Sequence, residues 1–331
     1  MEKSGQKRIN EIGWLFLISL IIHVLASFGM SFLTNKGIGV GIELQLVISE
    51  LTIVVPALIY VLRNKLSYRN DLGFRKIKVG TIFMSVLLAA LVMPLMSFVN
   101  LLTQLFVPNT MVQMSSEITS GSGILVLLLS SLYGPICEEF FFRSVMFNGY
   151  SKISGITKAV FASALLFGLL HLNVNQACYA IVLGIAVCII NTASGSVYTS
   201  MIIHIVINGA NMLLLLFVNM ATKMAGSSDV AIEQAAEDIR KGSLIYVMIA
   251  IYFVLAIAGV AISIPCIGWM AKHEGQSDKL MGIFRRCKEC TDEKKKTRII
   301  FNVPTIIAIV LTLFIMFGLD ALLNAFGYSI K

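Results

Sequence analysis

The sequence predicts an all-α protein built as a bundle of about eight or nine transmembrane helices, on the strength of its composition and its apolar run lengths. Of its 331 residues, 57% are hydrophobic and 13% are charged, the latter about half of the roughly 25% usual in soluble domains. Apolar stretches of about 20 residues, the length needed to cross a bilayer, recur from end to end. A water-soluble chain of this size would instead show polar faces every few residues, so residues 1–331 read as a single polytopic membrane domain. The six cysteines, Cys137, Cys178, Cys188, Cys266, Cys287 and Cys290, are scattered and mostly apolar in setting, which excludes a secreted disulfide framework.

The spans are expected at about 12–33, 40–62, 79–107, 122–150, 159–173, 177–191, 197–219, 244–270 and 299–327. The first follows a short basic segment but is too long for a typical signal-peptide core, and a second span follows almost at once, so it is retained as a helix. Between the seventh and eighth spans, the run from Asp229 to Arg240 is rich in helix formers and predicts a short surface helix capped by Ser228 or Asp229. No internal repeat is visible. With the N-terminus in the cytoplasm, the segments 1–11, 63–78, 151–158 and 271–298 face the cytoplasm and hold 20 of the 26 Lys and Arg residues. The positive-inside rule favours that orientation and makes anionic membrane lipids the partners of these loops. Nucleic acid is not an expected partner despite the net charge of +8, because no basic segment carries interleaved aromatics or a recognisable binding motif.

Charges inside spans are costly and mark functional sites by default. Here they are His23, Glu43, Glu50, Glu138, Glu139, Arg143, His171, His204 and Asp320. On a regular helix Glu139 and Arg143 stand at i and i+4, as an ion pair prefers, whereas Glu138 points about 100° away and is the freer carboxylate. Phe167 and His171 are likewise at i and i+4 on one helical face. His204 and Asn208 repeat the spacing, and Asn211 follows within about 20° of the His204 direction, so one polar stripe is expected to face one neighbour. Counting about 1.5 Å per residue from the cytoplasmic ends puts Glu138 and His171 about 18 Å deep and His204 about 11 Å deep. Each group alone has a bland reading: a buried ion pair, a carbonyl-bonded histidine, an interhelical amide bond. His23 stands alone and reads as structural.

Together, Glu138-Glu139-x-x-x-Arg143, Phe167-x-x-x-His171 and His204-x-x-x-Asn208, in that order on separate helices, resemble the intramembrane endopeptidases of the CAAX protease and bacteriocin-processing (CPBP, Abi) family. Thr192-Ala193-Ser194-Gly195-Ser196-Val197-Tyr198, leading into His204, resembles the family's approach to its last motif. The resemblance covers about 122–219 as a catalytic core. It implies that Glu138 and His171 activate the water that attacks a peptide bond, that His204 and Asn208 hold the oxyanion, and that Glu139, Arg143 and Phe167 support the site. The implied substrate is a membrane-associated or lipidated peptide or protein, and the expected location is the plasma membrane of a bacterium. No cofactor is required in this reading. The alternative is zinc bound by Glu138, His171 and His204, which are the ligand types of a His₂Glu site; no His-Glu-x-x-His is present. Other members are associated with bacteriocin self-immunity or scaffolding without catalysis, and that alternative stays open. A transporter using Glu50 and Asp320 as further stations is the third reading, although the inverted repeats common in transporters are absent. Cys287 and Cys290 have the spacing of half a zinc site, with only His273 nearby, and read as a reduced pair in a basic loop.

Overall fold

The computed structural model describes residues 2–109, 112, 118, 122–225, 229–284 and 300–318. Asp320, Ser228, Cys287 and Cys290 lie outside the described residues. The helices in chain order are α1 (Glu2–Asn35), α2 (Ile42–Arg63), α3 (Val79–Gln104), α4 (Gly123–Ser154), α5 (Ile156–Leu170), α6 (Val174–Ser194), α7 (Val197–Met224), α8 (Asp229–Lys241), α9 (Leu244–His273), α10 (Ser277–Phe284) and α11 (Val303–Phe317). Among the described residues, seven helices are long and apolar enough to cross a membrane: Gly5–Asn35 of α1, all of α2, α3, α4, α6 and α9, and Val197–Thr222 of α7. The shorter apolar helices α5 and α11 add to them. This is the all-helical membrane bundle that the composition predicts.

The helices form where backbone donors can be satisfied inside the segment, as a bilayer demands. Asn173 caps α6 by accepting from the Gln176 N–H at 3.0 Å, and Asn302 caps α11 by accepting from the Thr305 N–H at 3.1 Å, with a proline in its first turn. The outer surface is apolar, with Leu62, Phe83 and Val254 exposed, while Glu139 and Arg143 are fully buried. Phe16, Phe141, Phe142, Leu166 and Phe167 build the core around them. Small residues bring helices close. A Cβ on Gly184 of α6 would stand 2.8 Å from the Ala164 Cα of α5, and one on Gly259 of α9 would overlap the Leu91 carbonyl of α3.

Three details differ from the sequence expectation. First, α4 is not a regular α-helix but carries π-helical stretches at Leu129–Tyr133 and Phe140–Phe147, a wider winding that recurs at functional sites. Second, α5 ends at Leu170, so His171 caps the helix rather than lying on its face, and Leu172 turns the chain with φ +52°. Third, the turn between α6 and α7 is buried: Ser194, Ser196 and Val197 are almost fully covered by the loop 64–78. Ser196 Oγ donates to the Arg75 carbonyl at 2.5 Å and the Val197 N–H to the Gly73 carbonyl at 3.0 Å. The helix α7 therefore starts beneath the surface, which brings His204 level with Glu138 despite its shallower count. The surface helix α8 begins at Asp229 as expected.

The basic loops gather at one end of the bundle. Lys152 Nζ donates to Asp71 Oδ1 at 2.7 Å, Asn148 Nδ2 to the Leu72 carbonyl at 3.0 Å, and the Lys78 N–H to Glu274 Oε1 at 2.9 Å. Arg8 of the N-terminal segment reaches the same Asp71 at 3.9 Å.

Candidate active site

The sequence after Gly155, which adopts φ +89°, sends α5 back alongside α4. At 1.5 Å per residue the 15 residues of α5 carry His171 about 22 Å up from that turn, close to the level of Glu138 near the midpoint of α4. Ser163 Oγ of α5 donates to the Phe142 carbonyl in the π-helical stretch at 3.0 Å and fixes the two helices in register. The α5–α6 hairpin is tied to α3 at its far end, where Asn175 Nδ2 donates to Asn100 Oδ1 at 2.8 Å and to Thr103 Oγ1 at 2.7 Å.

The result is a continuous chain of polar side chains. His171 Nε2 stands 4.0 Å from Glu138 Oε1, and His204 Nε2 stands 3.4 Å from Glu138 Oε2. His204 Nδ1 lies 3.0 Å from Glu139 Oε1, and that oxygen is 3.1 Å from Arg143 Nη1. Glu138 and Glu139 thus flank one imidazole. Glu139 and Arg143 are sealed from solvent, whereas the Glu138 and His171 side chains keep 17% and 22% of their surface exposed, which leaves them open to a reactant. His171 Nδ1 is 3.0 Å from the Phe167 carbonyl, so it carries the proton and donates there, and Nε2 faces Glu138.

Phe167 forms the wall behind these groups. Its ring lies edge-on to His171 and His204, with centroids 5.1 Å and 5.8 Å away, and the Arg143 guanidinium sits 4.3 Å from its centroid. The guanidinium nitrogens find no aligned hydrogen-bond acceptor, so Arg143 is held by Coulomb attraction to Glu139 and by the ring face. Asn208 Nδ2 donates to the Ser130 carbonyl in the first π-helical stretch at 3.3 Å, which leaves its second N–H available. Asn211 does not join this stripe; it is exposed on α7.

Two residues that the catalytic reading left out, Glu50 and His23, lie beside this cluster. Glu50 of α2 fills the space left by Gly134, one turn before Glu138: its Oε1 is 3.5 Å from where a Cβ would stand. It is within electrostatic reach of Glu138, and its Oε2 is buried without a hydrogen-bond partner. His23 of α1 is not alone: its Nδ1 is 3.0 Å from Thr52 Oγ1, and it is within electrostatic reach of His171. Their in-span charge was the only available signal. His273, by contrast, stacks on Trp269 at 4.5 Å, away from the cluster.

The zinc alternative fits poorly. Among the described residues no group of three or more His, Cys, Asp or Glu side chains is arranged to hold a metal ion, and Glu138 turns its two oxygens to different histidines.

Residues 120–210 match the family model for type II CAAX prenyl endopeptidases, Rce1-like. The matched segment contains all three motifs, from Glu138 to Asn208, and is consistent with the CAAX protease and bacteriocin-processing family. No curated protein and no solved structure matches the chain. The Rce1-like segment coincides with the helices that assemble the polar cluster, α4 to α7, and its likeness is to a family of intramembrane proteases.

Proposed function

We propose that this chain is an intramembrane endopeptidase that hydrolyses a peptide bond in a membrane-associated or lipidated peptide, using water activated by Glu138 and His171. The observation that carries this reading is the 4.0 Å separation of Glu138 Oε1 and His171 Nε2, too long for a direct bond and suited to a bridging water. With the His171 Nδ1 proton committed to Phe167, neutral His171 presents a lone pair at Nε2. A water between the two acceptors donates one hydrogen to each and turns its own lone pair outward.

Attack on the peptide carbonyl passes one water proton to Glu138, which acts as general base and returns it to the leaving nitrogen as the C–N bond breaks. His204 and Asn208 are the donors for the oxyanion formed between these steps, and removing one such donor costs about 10²–10³ in rate. Glu139, Arg143 and Phe167 hold His204 in place. The charge bias of the loops supports a plasma-membrane location with the N-terminus in the cytoplasm, in contact with membrane lipids.

The test is cleavage of a library of membrane-associated peptides by the purified, detergent-solubilised protein, beside Glu138→Ala and His204→Ala, with and without a zinc chelator. Cleavage lost in both variants and indifferent to the chelator is expected. Cleavage abolished by chelation and restored by zinc would overturn the carboxylate mechanism, and no cleavage by wild type would favour an immunity or scaffold role. Glu50→Gln does not separate hydrolysis from ion transport, because Glu50 is within electrostatic reach of Glu138.

A further inference from the structure

Where the loop 64–78, the C-terminal part of α4, the α6–α7 turn and α10 meet, the protein forms a half-open cavity of about 260 Å³. It lies at the end of the bundle that gathers the basic loops, away from Glu138 and its partners. Its walls carry Arg75 from the loop, Lys152 from α4 and Lys279 from α10. Lys152 is already engaged by Asp71 at 2.7 Å and the Asn70 carbonyl at 2.6 Å. Arg75 and Lys279 meet no carboxylate: among the described residues none lies within 4.0 Å of either cationic group, and Arg75 Nε donates only weakly, to the Arg69 carbonyl at 3.5 Å. The Lys279 ammonium is held below the ordinary lysine range, first by desolvation and then by Arg75 and Lys152. Like charges therefore converge on one space, and the described residues that line it include no acidic side chain.

The floor of the cavity supplies a second, independent sign. Asn191, in the last turn of α6, is 4% exposed and lines the cavity, yet its Nδ2 has no hydrogen-bond partner. A buried donor left unmade is costly, and such groups in folded proteins call for an explanation. The neighbouring Asn148 Nδ2, by contrast, is satisfied by the Leu72 carbonyl. Ile156, the first residue of α5, also lines the wall, so the positive end of that helix dipole adds to the same field.

We propose that this cavity binds a phosphate-type anion, with Arg75 and Lys279 clamping its charge and Asn191 Nδ2 donating to it from the floor. A tetrahedral oxyanion offers acceptors in several directions at once, which suits two cations and an amide that approach from separate elements. The phosphate belongs either to the headgroup of an anionic phospholipid or to free inorganic phosphate. The site does not depend on the catalytic reading.

The test uses the full chain purified in neutral detergent at fixed ionic strength, which removes general screening as a cause. Two probes are read: the shift in melting midpoint with inorganic phosphate, and retention of phosphatidylglycerol against phosphatidylcholine by native mass spectrometry. Wild type is compared with the double variant Arg75→Gln/Lys279→Gln and with Lys272→Gln, a change at an exposed cation outside the cavity. The melting midpoint of each variant without ligand, read beside wild type, checks that the fold is kept. Wild type is expected to bind, the double variant to lose about tenfold or more in affinity, and Lys272→Gln to match wild type. A melting shift with phosphate alone identifies the free anion as a sufficient ligand; retention of phosphatidylglycerol without a phosphate response identifies the headgroup. Wild type that binds neither probe, or a double variant that binds like wild type, overturns the proposal.

Discussion

Glu138 and Glu139 are neighbours in the chain with different surroundings, and substitutions at them should fail in different ways. Glu138 is partly open and meets two histidines, so Glu138→Gln is expected to leave the amount of folded protein unchanged and to lower peptide cleavage by about 10²–10⁴. Glu139 is sealed against Arg143 and His204, so Glu139→Gln strands a buried guanidinium and is expected to cost about 3–5 kcal/mol of stability. Abundance and melting midpoint, measured beside specific activity, separate the two. The Glu139–Arg143 pair was legible in the sequence because it is local, set by i and i+4 spacing. The contacts of His23 and Glu50 were not, because they come from α1 and α2, far away in the chain, and no spacing rule reaches across helices.

At the scale of elements, the close crossing of α5 and α6 positions His171. Gly184→Leu inserts a side chain where a Cβ already stands 2.8 Å from the Ala164 backbone. It is expected to cost at least about 1–3 kcal/mol and to lower cleavage by moving the α5–α6 turn, read by melting and by activity on the surviving folded fraction. The loop 64–78 is fastened to α4 by Lys152 and Asp71, and the hydrogen bond from Lys152 holds the Asp71 carboxyl below its ordinary range. A depressed carboxyl pKa contributes stability that is present above the ordinary aspartate value and is lost as pH falls through the lowered one. Melting midpoints should therefore decline across that acidic window more in wild type than in Asp71→Asn. Helix existence was readable from apolar run length, but the π-helical winding of α4 and the burial of the Gly195 turn were not. Both depend on what packs against the segment, Ser163 on one side and the loop 64–78 on the other.

For the whole molecule, the basic loops that the positive-inside rule groups together meet at one end, which also holds the cationic cavity. A cysteine introduced at Lys272 should react with a membrane-impermeant thiol reagent only after the membrane is opened, and one at Lys36 in intact cells, on a background without the native cysteines. The reverse pattern would invert the orientation. The grouping was legible because it rests on charge counts, which need no knowledge of packing. The meeting of α4, α5 and α7 at one cluster was legible only through the three motifs taken together. The central claim is that Glu138 activates water for direct attack, and the decisive measurement is a single turnover in heavy-oxygen water with enzyme in excess of a cleavable peptide. The expected result is one heavy oxygen in the new carboxylate of the product and none in Glu138; heavy oxygen in the Glu138 side chain, or a product carboxylate without it, would contradict the account.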